Sequence, residues 1–263
     1  MLSATEARGL LAFATSLSDE ARRIVHGLAP DRLDVTVKAD GSYVSAADTA
    51  IEAAWRDRIR QRFPDHGLIG EEYAATGAGS VWQWVLDPID GTDNFVHGLP
   101  TFGTLVSLRH EGEAILGVID HPALDVRFAG ARGLGVTRNG RPVTVSSRRE
   151  AVPIIAVTAP ENFAAAGRFD LFCHLAGRFP NLRIYRDCFA HGLVLQGAVT
   201  AAVDFHVRLW DISAAEALVP EAGGLFVRLD DGGDRQQVAF GQRQAVEAIV
   251  AVARKPQSPD GAD

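Results

Sequence analysis

The chain has 263 residues, 47% of them hydrophobic and 22% charged, which is enough apolar material to bury a sizeable core in one large domain or two closely packed halves. A net charge of -7 leaves no basic stripe to displace counterions from a phosphate backbone, which argues against nucleic-acid binding and means that a small anionic substrate would need a cation to approach. The two cysteines, Cys173 and Cys188, form no C-x-x-C pair, and no apolar run reaches the ~18 residues of a membrane span, so a reducing, cytoplasmic location without membrane contact is expected.

Ser3 and Glu6 form a capping-box start for a long amphipathic helix, in which Ala7, Leu10, Leu11, Ala14, Leu17, Ala21, Ile24, Val25 and Leu28 recur at helical spacing. After a polar turn around 38–42, a second helix is expected to begin near Ser45, burying Ile51, Trp55, Ile59 and Phe63 and carrying Asp48 in its first turn. From 81 to 145 the pattern changes to short β-rich runs at 81–86, 104–108, 114–119, 126–129 and 143–145, with Asn139-Gly140 as a hairpin signal. Beyond Glu150, strands at 154–157, 182–185 and 201–205 alternate with helices at 164–178 and 189–198. A last helix starts at Asp211 and is stopped by Gly223-Gly224. This order predicts layered α and β: an antiparallel-rich N-terminal half over 1–150, an α/β C-terminal half over 151–254, and a disordered tail over 255–263.

The run from Trp84 to Asn94, WVLDPIDGTDN, brings Asp87, Asp90 and Asp93 together with a Gly-Thr step into one short segment. No Lys or Arg occurs from Phe63 to Leu108, although Asp65, Glu71, Glu72 and those three aspartates all lie there. Two carboxylates at ~4 Å repel by roughly 4 kcal/mol at an effective dielectric near 20, so such a cluster spreads apart, takes up protons or binds cations. Oxygen-only ligands suit Mg, Mn or Ca rather than Zn. The i, i+3, i+6 spacing could equally mark a solvated helix face, but Pro88 and Gly91 make a poor helix, and a loop at the end of a buried strand is the better reading. Gly91 also lets backbone N–H groups approach a phosphate. Taken singly, Glu71 reads as a solvated surface acid, and Asp48 and Asp211 read as ordinary residues of helix starts.

Together, Gly70-Glu71-Glu72, Asp87-Pro88-Ile89-Asp90-Gly91-Thr92 with Asn94-Phe95, Trp210-Asp211 and Glu221-Ala222-Gly223-Gly224 resemble the inositol monophosphatase superfamily. The resemblance implies a layered αβαβα sandwich of the inositol monophosphatase and fructose-1,6-bisphosphatase type. It implies a Li-sensitive, Mg2+-dependent phosphomonoesterase, active as a homodimer on a small phosphate monoester. Glu71, Asp87, the Ile89 carbonyl, Asp90 and Asp211 would bind about two or three Mg2+ ions, and Asp48, Thr92 and Glu71 would activate the attacking water. Gly91 and Thr92 would hold the phosphate beside Asp90 and Asp211. Lys38, one of two lysines in the chain, falls in what would be a mobile loop, or is simply a solvated turn residue.

On the substrate side the resemblance puts Asp204 against the alcohol portion of the ester and Asp187-Cys188 in a neighbouring substrate loop. Gly98-Leu99-Pro100, Gly117-Val118-Ile119-Asp120 and Asp187-Cys188-Phe189 look more like the histidinol-phosphatase branch than the inositol branch, and an acidic pocket would suit an amine. The chain departs from that branch at Tyr185-Arg186, where glycine is usual before the Asp-Cys pair. Arg186 and Arg208 either admit a more anionic substrate or pair with Asp187 or Asp204. Alternatives are a bisphosphate nucleotidase and a catalytically inactive metal-binding member with a regulatory role. Phosphatases that form an aspartyl-phosphate use D-x-D spacing, which Asp87 and Asp90 do not match. Neither a zinc site nor a nucleotide-binding glycine loop is present in the sequence.

Overall fold

The computed structural model describes residues 2–27, 34–39, 41, 43–146, 152–230 and 233–254; the expected boundary near 150 and the expected tail at 255–263 lie outside the described residues. Helix α1 (Ala4–Gly27) opens on the reciprocal Ser3–Glu6 cap. A small hairpin, β1 (Val35–Val37) and β2 (Tyr43–Ser45), leads directly into α2 (Ala46–Arg62), whose N-cap is Ser45. Then come β3 (Gly67–Gly70), β4 (Trp82–Asp90), the short α3 (Thr92–Val96), β5 (Gly103–His110), β6 (Glu113–His121), a 3₁₀ turn at Pro122–Leu124, β7 (Val126–Ala131), β8 (Gly135–Arg138) and β9 (Arg141–Val143). Asn139 and Gly140 both adopt left-handed φ, as the β8–β9 hairpin turn requires.

The second half runs β10 (Ile155–Val157), α4 (Pro160–Ala165), α5 (Phe169–Arg178), β11 (Leu182–Ile184), α6 (Asp187–Leu195), β12 (Ala201–Val207), α7 (Leu209–Glu221), β13 (Leu225–Arg228), β14 (Gln236–Gly241) and α8 (Arg243–Ala253). Two expectations are corrected here. The single helix expected at 164–178 is two, broken where Gly167 turns left-handed. The helix expected from 189 begins at Asp187, which brings Asp187 and Cys188 out of a loop and into its first turn.

The strands form a seven-stranded sheet ordered β3-β4-β5-β6-β7-β8-β9, antiparallel except for β3–β4, and a five-stranded sheet ordered β11-β10-β12-β14-β13. Three apolar layers fix the stacking. The first joins Leu17, Ile51, Trp55 and Ile59 of α1 and α2 to Trp84, Leu86, Val106 and Val118 of the large sheet. The second joins Leu105, Ile119 and Phe128 to Val194, Ile212 and Leu218 of α6 and α7, and on to Ala202, Val238 and Phe240 of the small sheet. The third packs Phe163, Leu171, Leu175, Val246 and Ile249 of α4, α5 and α8 on Val157, Val203 and Ala239. The order is therefore helix, sheet, helix, sheet, helix. Helix α7 lies close on the large sheet because Gly117 has no side chain: a Cβ there would come 2.6 Å from the Ala214 carbonyl oxygen. That approach carries the start of α7 to the end of β4.

Candidate metal and catalytic site

Along a regular strand, residues three apart face opposite sides, so Asp87 and Asp90 would diverge. Between them the pairing with β5 slips: Asp87 pairs with Leu105 and Asp90 with Gly103, so β4 spends one more residue than its partner. This β-bulge, which also accommodates Pro88, lets both carboxylates turn toward one centre. Asp211, from the first turn of α7, completes it: one carboxylate oxygen from each of Asp87, Asp90 and Asp211 lies within 4.8 Å of the others.

Asp87 is 1% exposed, and both its carboxylate oxygens are buried without a hydrogen-bond partner among the described residues. Asp90 accepts from the Cys188 N–H, and Asp211 accepts from the Arg208 N–H at 2.8 Å. Burial, then the neighbouring charges of Glu71 and Asp90, holds Asp87 well above the ordinary carboxylate range. Burial, then Asp187 and Asp211, does the same to Asp90. Asp211 is pushed up to about 7 by burial against the opposing Arg208 N–H. Mutually repelling, oxygen-only donors, with Asp87 buried and unpartnered, fit a hard divalent cation, whose charge would let all three ionise.

Around this centre, Ser45 donates to Asp48 Oδ2 from both its N–H and its hydroxyl, at 2.8 and 2.5 Å. Thr92 Oγ1 sits 2.9 Å from the Ile89 carbonyl oxygen and 3.3 Å from Asp48 Oδ1. Burial lifts Asp48 to about 6. Glu71 stands outside the three-aspartate group: Lys38 Nζ lies 2.9 Å from it and 2.7 Å from Glu72. Lys38 is thus an ion-pair partner of the acidic loop rather than a solvated turn residue.

Beside the three-aspartate group, Asp187 adopts a left-handed φ of 58°, and its Oδ2 accepts from Asn94 Nδ2 at 3.2 Å. A Cβ on Gly91 would come 3.2 Å from that oxygen, so Asp187 overhangs the Gly91-Thr92 step. Asp204 is buried and meets His191 Nε2 at 2.8 Å. Arg208 pairs with Asp234 and lies over the Trp210 ring, and Arg186 lies 3.8 Å from Glu161. Neither arginine forms the ion pair with Asp187 or Asp204 that was one expectation for them.

A sequence profile described as the inositol monophosphatase family matches residues 6–258. The chain belongs to that family. Similar proteins include a histidinol-phosphatase of Chlorobaculum parvum, 37% identical over 73% of this chain and 74% of that protein, and a histidinol-phosphatase of Mycobacterium tuberculosis, 34% identical over 81% and 84%. Among solved structures, the extragenic suppressor protein suhB of Bartonella henselae superposes with a TM-score of 0.84 at 25% identity, covering 95% of this chain and all of that one.

Within the family fold, sequence reasoning passed over the supports of the site. Glu52, fully buried on α2, accepts from the Glu72 N–H at 2.8 Å and from Arg56 Nε at 2.7 Å. Arg56 in turn donates to the carbonyls of Tyr73 and Ala74. The pair fastens the loop that carries Glu71. An acid and an arginine at i, i+4 among the apolar positions of a buried helix face was the available signal. His191 and the Cys188 N–H carried none, because their partners are distant in sequence.

Proposed function

We propose that the protein is a Mg2+-dependent phosphomonoesterase acting on a small phosphorylated alcohol, with a phosphorylated amino alcohol such as histidinol phosphate favoured over inositol monophosphate. The observation that carries this reading is the meeting of Asp87, Asp90 and Asp211 with both Asp87 oxygens buried and unpartnered. Glu71, Asp87, the Ile89 carbonyl, Asp90 and Asp211 would hold the ions. When bound, they supply the Lewis acidity that lowers the pKa of water and stabilises charge on the leaving oxygen.

The side chains do the rest. Thr92 Oγ1 holds the attacking water and relays its proton toward Asp48, a carboxyl lifted by burial into the range where a base works near neutrality. The two bonds from Ser45 keep Asp48 oriented for that transfer. The Gly91 and Thr92 N–H groups hold the phosphate, and the fixed loop geometry lowers the entropic cost of in-line approach. Asp187, overhanging Gly91 beside Asn94, offers a carboxylate to an ammonium group on the alcohol portion. Asp204, held by His191, adds a second negative charge near Asp187. The resemblance to two histidinol-phosphatases supports the choice of substrate class. The same reading carries a cytoplasmic homodimer inhibited by Li+; among the described residues no helix is long and apolar enough to cross a membrane.

The test is phosphate release with Mg2+ and then EDTA from L-histidinol phosphate, myo-inositol 1-phosphate, fructose 1,6-bisphosphate and adenosine 3',5'-bisphosphate. The expected result is EDTA-sensitive release with a preference for histidinol phosphate, and an Asp187→Asn variant should lose that preference before it loses turnover. Preference for the adenosine ester would make the protein a nucleotidase. Metal binding with no release from any ester would favour the non-enzymatic alternative.

A further inference from the structure

A second cleft, of about 270 Å³, opens between α6, the 3₁₀ turn after β6, and β8, and none of the proposed metal ligands lines it. Leu124, Phe189 and Leu193 give it apolar walls, and His121, Arg138 and Gln196 bring polar groups to it.

Two of these groups each have one buried nitrogen without a partner among the described residues. His121 is 2% exposed, and its Nδ1 lies 3.1 Å from the Phe102 carbonyl oxygen, which assigns the ring proton to Nδ1 and leaves a lone pair on Nε2. Nε2 is buried with no hydrogen-bond partner among the described residues. It packs against Gly192, where a Cβ would come 2.9 Å from it and 2.9 Å from Phe128 Cε2, so the missing side chain lets α6 approach the two rings closely at that wall of the cleft. Arg138 is the other: its Nε is buried without an acceptor, and among the described residues no carboxylate pairs with it. The chain has 33 acidic against 26 basic residues, so an arginine left unpaired here does not follow from a shortage of acids. Buried polar groups without partners are rare in folded proteins because each forfeits its hydration, and two at one apolar cleft point to an occupant that satisfies both.

We propose that this cleft binds a small carboxylate with an apolar body, its anionic head on Arg138 and Gln196 and a hydrogen-bond donor reaching His121, and that occupancy alters the catalytic site. The space equals that of about nine liquid waters, the size of a single substituted ring. The route to the site is short. Helix α6 presents Phe189 and Leu193 to the cleft and, from its first turn, Asp187 to Asn94 and the Cys188 N–H to Asp90. His121 also lies 3.9 Å from Cys188 Sγ. A ligand that shifts His121 or α6 therefore displaces a donor to Asp90.

The test is calorimetric titration of the full chain with 4-hydroxybenzoate, with benzylamine as a cation of similar size, on wild type, Arg138→Gln and Leu193→Trp, each checked for an unchanged melting temperature. Saturable binding of the acid alone is expected, weakened about tenfold in Arg138→Gln and lost in Leu193→Trp, which plugs the cleft. The KM or kcat for the phosphate ester should change with the acid in wild type and not in Leu193→Trp. No saturable binding, binding undiminished in Arg138→Gln, or equal binding of benzylamine would overturn the site. Saturable binding with unchanged kinetic constants would overturn the coupling. The kinetic arm rests on the phosphatase reading, whereas calorimetry needs no turnover. A chain that binds the acid but cleaves no ester would therefore count against the activity and not against the cleft.

Discussion

Keeping Asp87 charged without a cation is costly, because neither of its buried oxygens finds a donor. Asp90 and Asp211 each have one backbone donor, so they tolerate charge better but still repel each other and Asp87. Replacing Asp90 by Asn removes a ligand charge while preserving shape. Turnover should vanish and Mg2+ affinity should drop, read by phosphate release and calorimetry; near-normal hydrolysis would sink the site assignment. Thr92 makes a different case. Its hydroxyl lies between the Ile89 carbonyl and Asp48, and Thr92→Ala should lower kcat by about 10²-fold or more while the melting temperature barely moves. A large loss of stability with kcat preserved would assign Thr92 to the fold rather than to the chemistry.

Each element of the site delivers what its local irregularity allows. Strand β4 presents two carboxylates on one side only because its bulge adds a residue between them. Helix α2 contributes at two levels: its cap holds Asp48, and one and two turns later Glu52 and Arg56 hold the Glu71–Glu72 loop. Glu52→Ala leaves Arg56 as a buried charge without its carboxylate, a loss of about 3–5 kcal/mol that urea denaturation would read. Glu52→Gln, which can still accept from the Glu72 N–H, should cost less and retain more Mg2+ affinity. Equal losses from the two substitutions would mean that the carboxylate does not act through the loop.

For the molecule as a whole, the carboxylate cluster links stability to pH and metal. Burial raises Asp48 to about 6 and Asp211 to about 7 from an ordinary 3.8, with Asp87 and Asp90 also raised. The metal-free native state therefore holds protons that the unfolded chain has released. The stability these groups contribute is full below about pH 4 and is lost as pH rises through about 6 and 7. Mg2+ would bind the ionised cluster, so its stabilising effect should be small at pH 5 and larger at pH 7.5. At a hundred times its Kd it should add about 2.7 kcal/mol, or about 5–10 °C in Tm for a chain of this size. Thermal melts with Mg2+ or EDTA at the two pH values check this, and an identical shift at both would contradict the linkage.

The residue types of the site, and much of the layered fold, are legible in the linear string because their signals are local. Acids in one cation-free run share a neighbourhood by covalent connection, Ser45 announces a helix start, and Asn139-Gly140 a hairpin. What spacing could not decide was direction and distant partnership. The bulge that turns Asp87 and Asp90 together arises in the pairing of β4 with β5. Asp211 arrives because α7 packs closely over Gly117. Asp204 is held by His191, and Arg186 and Arg208 meet Glu161 and Asp234. Side-chain direction and long-range contact depend on how sheets and helices stack, a property of the packed layers that no interval along the chain records.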